Sequence, residues 1–130
     1  MLSFGFFSDP ALTTPVAQKL HVVLADPDYT GSVSVYFGSP VAGRVARAMS
    51  APGVSDIQIS SEVVDGLDVR LALSATAFPG ASGTLALGPE MAGGVGNAVE
   101  IHVRVVNPAG AGPSMADISL QAVAMGEWLA

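Results

Sequence analysis

The chain has 130 residues, enough for one domain, since single cores commonly run to about 100–150 residues. Half of the residues are hydrophobic, only 12% are charged and none is cysteine, which removes disulfides, thiolate zinc sites and cysteine nucleophiles. A net charge of −6, with only Lys19, Arg44, Arg47, Arg70 and Arg104 basic, argues against nucleic acid, which rewards dense cationic patches.

Residues 1–7 are apolar, with Phe4, Phe6 and Phe7 close together. They lack the basic leader, the length and the cleavage site of a signal peptide. Pro10 and Pro15 separate them from the first alternating segment, and Pro15 cannot donate to a strand ladder. Two readings follow for residues 1–17. They form a first edge strand that caps the body, or an extended arm whose aromatics dock on an adjacent subunit.

From there on, period-2 alternation dominates and predicts strands. Val33, Val35 and Phe37 alternate with Ser32, Ser34 and Tyr36. Leu67, Val69, Leu71 and Leu73 alternate with Asp68, Arg70 and Ala72. Val99, Ile101, Val103 and Val105 alternate with Glu100, His102 and Arg104, and Ile118, Leu120, Ala122 and Ala124 with Ser119, Gln121 and Val123. Weaker strands are expected at 20–25, 55–63 and 83–87. Residues 40–49 place Val41, Val45 and Ala48 at helical spacing, yet the internal Gly43 costs a helix about 1 kcal/mol. A short helix, a loop and an irregular edge strand all stay open there.

Turn signals fall between these segments, at 26–31, 38–43, 52–53, 65–66, 79–83, 88–96 and 107–113. Glycine there supplies positive φ, proline presets φ, and Asp or Asn closes side-chain turns. About seven short strands with such punctuation predict an all-β, antiparallel β-sandwich, immunoglobulin-like or jelly-roll-like, with an extended N-terminal arm. The division is 1–17 as arm or edge strand and 18–130 as sandwich domain. No run reaches the roughly 18 apolar residues of a membrane helix, so the surplus apolar surface is assigned to a core and to contacts with other chains.

Candidate chemistry is thin. Asp26-Pro27-Asp28-Tyr29-Thr30-Gly31 opens like a calcium loop, but Thr30 is a poor fifth ligand and Phe37 stands where the bidentate Glu belongs. Gly93-Gly94-Val95-Gly96-Asn97 has the glycines of a phosphate cradle, but a strand follows where a helix N-terminus is needed. His21 and His102 lie on strands, and no serine sits in a nucleophile elbow. Neither an enzyme nor a cofactor nor a metal is expected. Glu100, His102 and Arg104 form a polar outward face, read as solvated or as a charged rim that fixes register between subunits. Trp128, beside Leu129, is either a plug at the core edge or an interface anchor, since tryptophan is enriched at binding hot spots.

The strand at 100–106, the corner Asn107-Pro108-Ala109-Gly110-Ala111-Gly112-Pro113 and the strand at 118–124 resemble the last two strands of immunoglobulin-like surface modules. In its short, acidic, cysteine-free, Ala/Gly/Val/Pro-rich character the whole chain is similar to accessory virion proteins of tailed bacteriophages, among them head decoration, neck and tail proteins. That resemblance implies a virion structural protein located in the particle, which binds other copies of itself and other virion proteins. It implies a homo-oligomer, with neither nucleic acid nor membrane as partner. The interface is expected at Phe4, Phe6, Phe7, Trp128, Leu129, Arg44 and Arg47. The alternative is a non-catalytic carbohydrate- or receptor-binding β-sandwich module.

Overall fold

The computed structural model describes residues 3–16, 20–23, 30–51, 54–63, 68–74, 84–106, 115–123 and 125–129. They form eleven strands: β1 (Gly5–Phe7), β2 (Leu20–Val23), β3 (Thr30–Gly38), β4 (Arg44–Ala48), β5 (Gln58–Val63), β6 (Asp68–Ala72), β7 (Thr84–Ala86), β8 (Glu90–Ala92), β9 (Val99–Val106), β10 (Met115–Val123) and β11 (Met125–Leu129). A single 3-10 turn, Val95–Asn97, is the helical content among the described residues. The class is all-β and sandwich-like. Three antiparallel sheets build it, in the orders β1-β3-β9-β6 (sheet A), β2-β10-β5-β7 (sheet B) and β11-β4-β8 (sheet C).

The alternating segments became strands where they were expected, as β2, β3, β5, β6, β7, β9 and β10. Four more strands raise the count above seven: β1, β4, β8 and β11. The pattern also ends earlier than expected in β6. Leu73 lies beyond the last paired residue and is 52% exposed, whereas Leu71 is sealed. The corner at 107–113, the loop residues 26–29, the turns at 52–53, 65–66 and 79–83, Leu67, Ala124 and the His21 side chain lie outside the described residues.

The inward faces of all three sheets meet in one hydrophobic cluster. Sheet A gives Val35, Phe37, Val69, Leu71, Ile101, Val103 and Val105; Ile59 and Ile118 come from sheet B; sheet C adds Ala46, Met91 and Met125. Burying one such large side chain is worth about 1.5–3 kcal/mol, so this cluster is what holds the layers together. Register explains the sorting. Val33, Val103 and Leu71 oppose one another across β3, β9 and β6, and a one-residue slip would turn each to water.

Of the two readings of residues 1–17, the described part follows the edge strand. β1 pairs with the end of β3 through Gly5↔Gly38, Phe6↔Phe37 and Phe7↔Tyr36. Phe4 and Phe6 point inward and pack on Phe37 with ring centroids 6.2 and 4.9 Å apart. The next residues loop back, since the Val16 amide donates to the Phe6 carbonyl at 2.9 Å and Phe7 bridges Pro15. Asp9 closes that loop by accepting from the Thr13 and Thr14 amides at 3.0 and 2.9 Å and from the Thr13 hydroxyl. These bonds, led by the one from the Thr13 hydroxyl, hold the Asp9 carboxyl below its ordinary range. They also fix Leu12, buried at a φ of 56°, in the left-handed region that leucine rarely occupies.

Residues 44–48, where helix, loop and irregular edge strand were all open, are strand β4, which lies in the middle of its sheet and not at an edge. Gly43, at a φ of 81°, ends the turn before it and prevents helix continuation. β4 then takes ladders on both sides, from β11 and from β8, and two neighbouring strands outweigh a weak local helix preference.

Candidate functional site

Sheet C brings together every C-terminal residue expected at an interface. Residues paired across a ladder share a face. The pairs Trp128↔Val45↔Ala92 and Gly126↔Arg47↔Glu90 therefore define one face, and Glu127↔Ala46↔Met91 with Met125↔Ala48 the other. Ala46, Met91 and Met125 belong to the core, so the second face is the inner one and Trp128 stands on the outer one.

The inner face carries a polar knot. The Glu127 side chain is only 2% exposed. Its carboxylate accepts from the Ser3 amide at 2.6 Å, the Ser3 hydroxyl at 2.8 Å, the Phe4 amide at 3.2 Å and Arg44 Nε at 2.7 Å. Burial alone would raise its pKa. The hydrogen bonds from Ser3, Arg44 and Phe4 outweigh that and lower it to about 2. Ser39, fully buried, joins the knot through a 2.6 Å hydroxyl contact with Ser3 and accepts from the Val41 amide at 3.1 Å. Residues 124 apart in sequence are thereby tied, the N-terminal segment to the C-terminal strand.

On the outer face Trp128 is 37% exposed. The Arg47 guanidinium lies 5.9 Å from its centroid, a cation–π distance, and Arg47 Nε donates to Glu90 at 3.1 Å. Gly126 lets the ring lie flat along its own strand, because a Cβ there would stand 2.7 Å from the ring's Cη2 and 3.2 Å from Met49. Met49 is itself exposed, and Leu129, at the strand tip, is 76% exposed. The result is an outer-face apolar patch of Met49 and Trp128 rimmed by an Arg–Glu pair, while Leu129, paired with Arg44, stands on the opposite face at the exposed tip of the strand.

The interface residues expected from sequence thus divide. Trp128, Leu129 and Arg47 gather on or beside β11. Arg44 turns inward to Glu127. Phe4, Phe6 and Phe7 instead belong to the chain's own fold, with Phe4 and Phe7 buried and Phe6 half-buried against Phe37. Aromatic area that would serve an arm is already removed from water within the chain. Sequence reasoning missed Glu127, Ser3 and Ser39, and a lone Glu between Gly126 and Trp128 gives no pattern that would have found them.

The polar face of sheet A is a ladder of cross-strand contacts. Ser34 Oγ lies 3.3 Å from His102 Nδ1, His102 Nε2 lies 3.5 Å from Glu100, and Tyr36 donates to Glu100 at 3.2 Å. Partial burial, then the Glu100 carboxylate, raise the Tyr36 phenol above its ordinary value. Serine, histidine and acid stand in sequence, but on an open sheet face where the backbone amides of β3 and β9 lie in the plane of their shared ladder. Amides so engaged are not aimed at an oxyanion above the sheet, which acyl transfer requires. Arg70 and Arg104 stand directly opposite each other on this face, and Arg70 is offset by Asp68 at 3.3 Å. Among the described residues no three His, Asp or Glu side chains gather as a metal ion would require.

Compared with known proteins, the chain matches no family model, no curated protein and no solved structure.

Proposed function

We propose that this chain is a non-enzymatic structural subunit that acts by adhering to neighbouring protein copies, as an accessory or decoration protein of a tailed-phage virion does. The observation that carries this reading is the exposed apolar surface around strand β11, with Met49 and Trp128 on its outer face and Leu129 at its tip, on a chain with only 12% charged residues. Apolar area at about 25 cal/mol per Å² drives association once ordering costs are met. The Arg47–Glu90 pair at the rim supplies register. Repetition on a lattice would multiply a modest contact into avidity.

The test is sedimentation of the purified chain across concentration, alone and mixed with isolated phage heads and tails. Self-association or co-sedimentation is expected. A chain that stays monomeric up to about 1 mM, the level of the weakest specific contacts, and that binds no particle refutes the reading.

One observation favours a second reading, a glycan-binding module. An exposed indole beside Arg47 and Glu90 offers an apolar face with polar groups at its edge, the chemistry that recognises a sugar ring. Titrating glycans against the emission of Trp128, the only tryptophan, distinguishes the two. A saturable change with one glycan class supports binding, and a flat response removes it.

A further inference from the structure

Each sheet has two edges, and edges are where one chain can pair with another unless something blocks them. In sheet A, β1 is three residues long and flanked by Pro15, and β6 carries the Asp68–Arg70 pair. In sheet B, β7 is three residues long, and β2, four residues long, lies against β3 of sheet A. In sheet C, β8 is three residues long, follows Pro89 and presents Glu90 outward. The other edge of sheet C is different. β11 has five residues, no proline and no basic residue, and its one charge, Glu127, is pinned on the inner face by Ser3, Phe4 and Arg44. Among the described residues its outer edge has no paired strand. The most exposed large apolar side chain of sheet C, Leu129, lies on this same strand.

We infer that the β11 edge is a seam for a second copy of this chain, joined antiparallel about a two-fold axis. The inference rests on the structural-subunit reading and gives it a surface. Full overlap of two five-residue strands puts Glu127 on the axis, opposite its own copy. It follows that Gly126 opposes the copy's Trp128, and Met125 opposes the copy's Leu129. Both pairs fit. Gly126 brings no side chain against the copy's indole, and each ring already lies over the glycine of its own strand. Leu129, 76% exposed in the single chain, gains an apolar partner. The repulsive element is Glu127 facing its copy, and each carboxylate already carries its own Arg44 at 2.7 Å. Two three-stranded sheets become one six-stranded sheet, an isologous contact that closes on itself.

The full chain is examined by sedimentation equilibrium while iodide quenching of Trp128 is followed over the same concentrations. Leu129→Lys is the variant, because a residue this exposed leaves the fold intact, which circular dichroism verifies. Hydrogen exchange of the 125–129 amides, at low and high concentration, provides a readout that needs no variant. The expected result is a doubling of mass, with Trp128 protected and the 125–129 amides slowed at the same midpoint. Leu129→Lys then weakens association at least about tenfold. If the chain associates while Trp128 quenching and amide exchange stay constant and Leu129→Lys associates equally well, the seam is overturned and adhesion through another surface stands. A chain that remains monomeric but co-sediments with particles also overturns the seam alone. Monomers that bind nothing overturn both.

Discussion

Glu127→Gln tests the polar knot, because it keeps the shape of the side chain and removes its charge. Four donors converge on the carboxylate from 2.6 to 3.2 Å: two amides, a hydroxyl and the Arg44 guanidinium. A neutral amide turns one acceptor into a donor, so at least one of those groups loses its partner. Breaking a buried charge pair costs about 3–5 kcal/mol. Arg44 keeps some contact with water, being 28% exposed, which reduces the expected loss to about 2 kcal/mol. Proton linkage gives a similar figure. The carboxyl moves from 4.5 in the unfolded chain to about 2 in the folded one, a limit of about 3 kcal/mol. Although the carboxylate is sealed, it lies close to the surface of a small protein, and screening reduces that limit to about 2 kcal/mol. A carboxyl with a depressed folded pKa contributes fully above its unfolded value. That contribution fades as pH falls from about 4.5 to about 2. Urea unfolding of wild type and Glu127→Gln at pH 7, 5, 3 and 2 is the assay. Wild type should lead by about 2 kcal/mol at neutral pH, with the gap closing in acid. Asp9 titrates in both proteins and cancels in the difference. A gap below about 0.5 kcal/mol at pH 7, or one that persists undiminished at pH 2, refutes the assignment.

Gly93→Ala should destabilise by about 2–4 kcal/mol in the same assay, because its Cβ would stand 2.4 Å from the Val41 carbonyl oxygen and 3.2 Å from that of Arg44, backbone that cannot give way. Gly126→Ala meets the far end of the Trp128 ring and the flexible Met49 side chain, both able to move, so the ring swings out: a loss under about 1 kcal/mol with red-shifted tryptophan emission is expected. Phe37→Ala removes a sealed ring that Phe4 and Phe6 both pack on and should cost about 3–5 kcal/mol, read as a lower urea midpoint. Phe6→Ala, at a half-buried position, should cost less than Phe37→Ala, and the reverse order would contradict the packing of β1 described above.

Period-2 alternation over five or more residues, as in Val99–Val106, made sheets A and B legible in outline. A strand buried on one face must repeat its apolar residues every second position, whatever it pairs with. Sheet C lacked that signature. β4 buries Val45 beside Ala46 and so reads as irregular, β8 is three residues inside a glycine-rich turn, and β11 interleaves Gly126 and Glu127 with apolar residues. Each is a strand because a neighbour pairs with it, and pairing partners far apart in sequence leave no local trace. The same holds for the aromatics near the N-terminus. Composition showed that Phe4, Phe6 and Phe7 must leave water, but the β1–β3 register decided that their own chain takes them. The sequence by itself therefore determined the class, the alternating strands and the surplus of apolar surface. Only the tertiary structure decided which apolar residues are spent inside and which remain on the β11 edge, because burial is a property of long-range pairing.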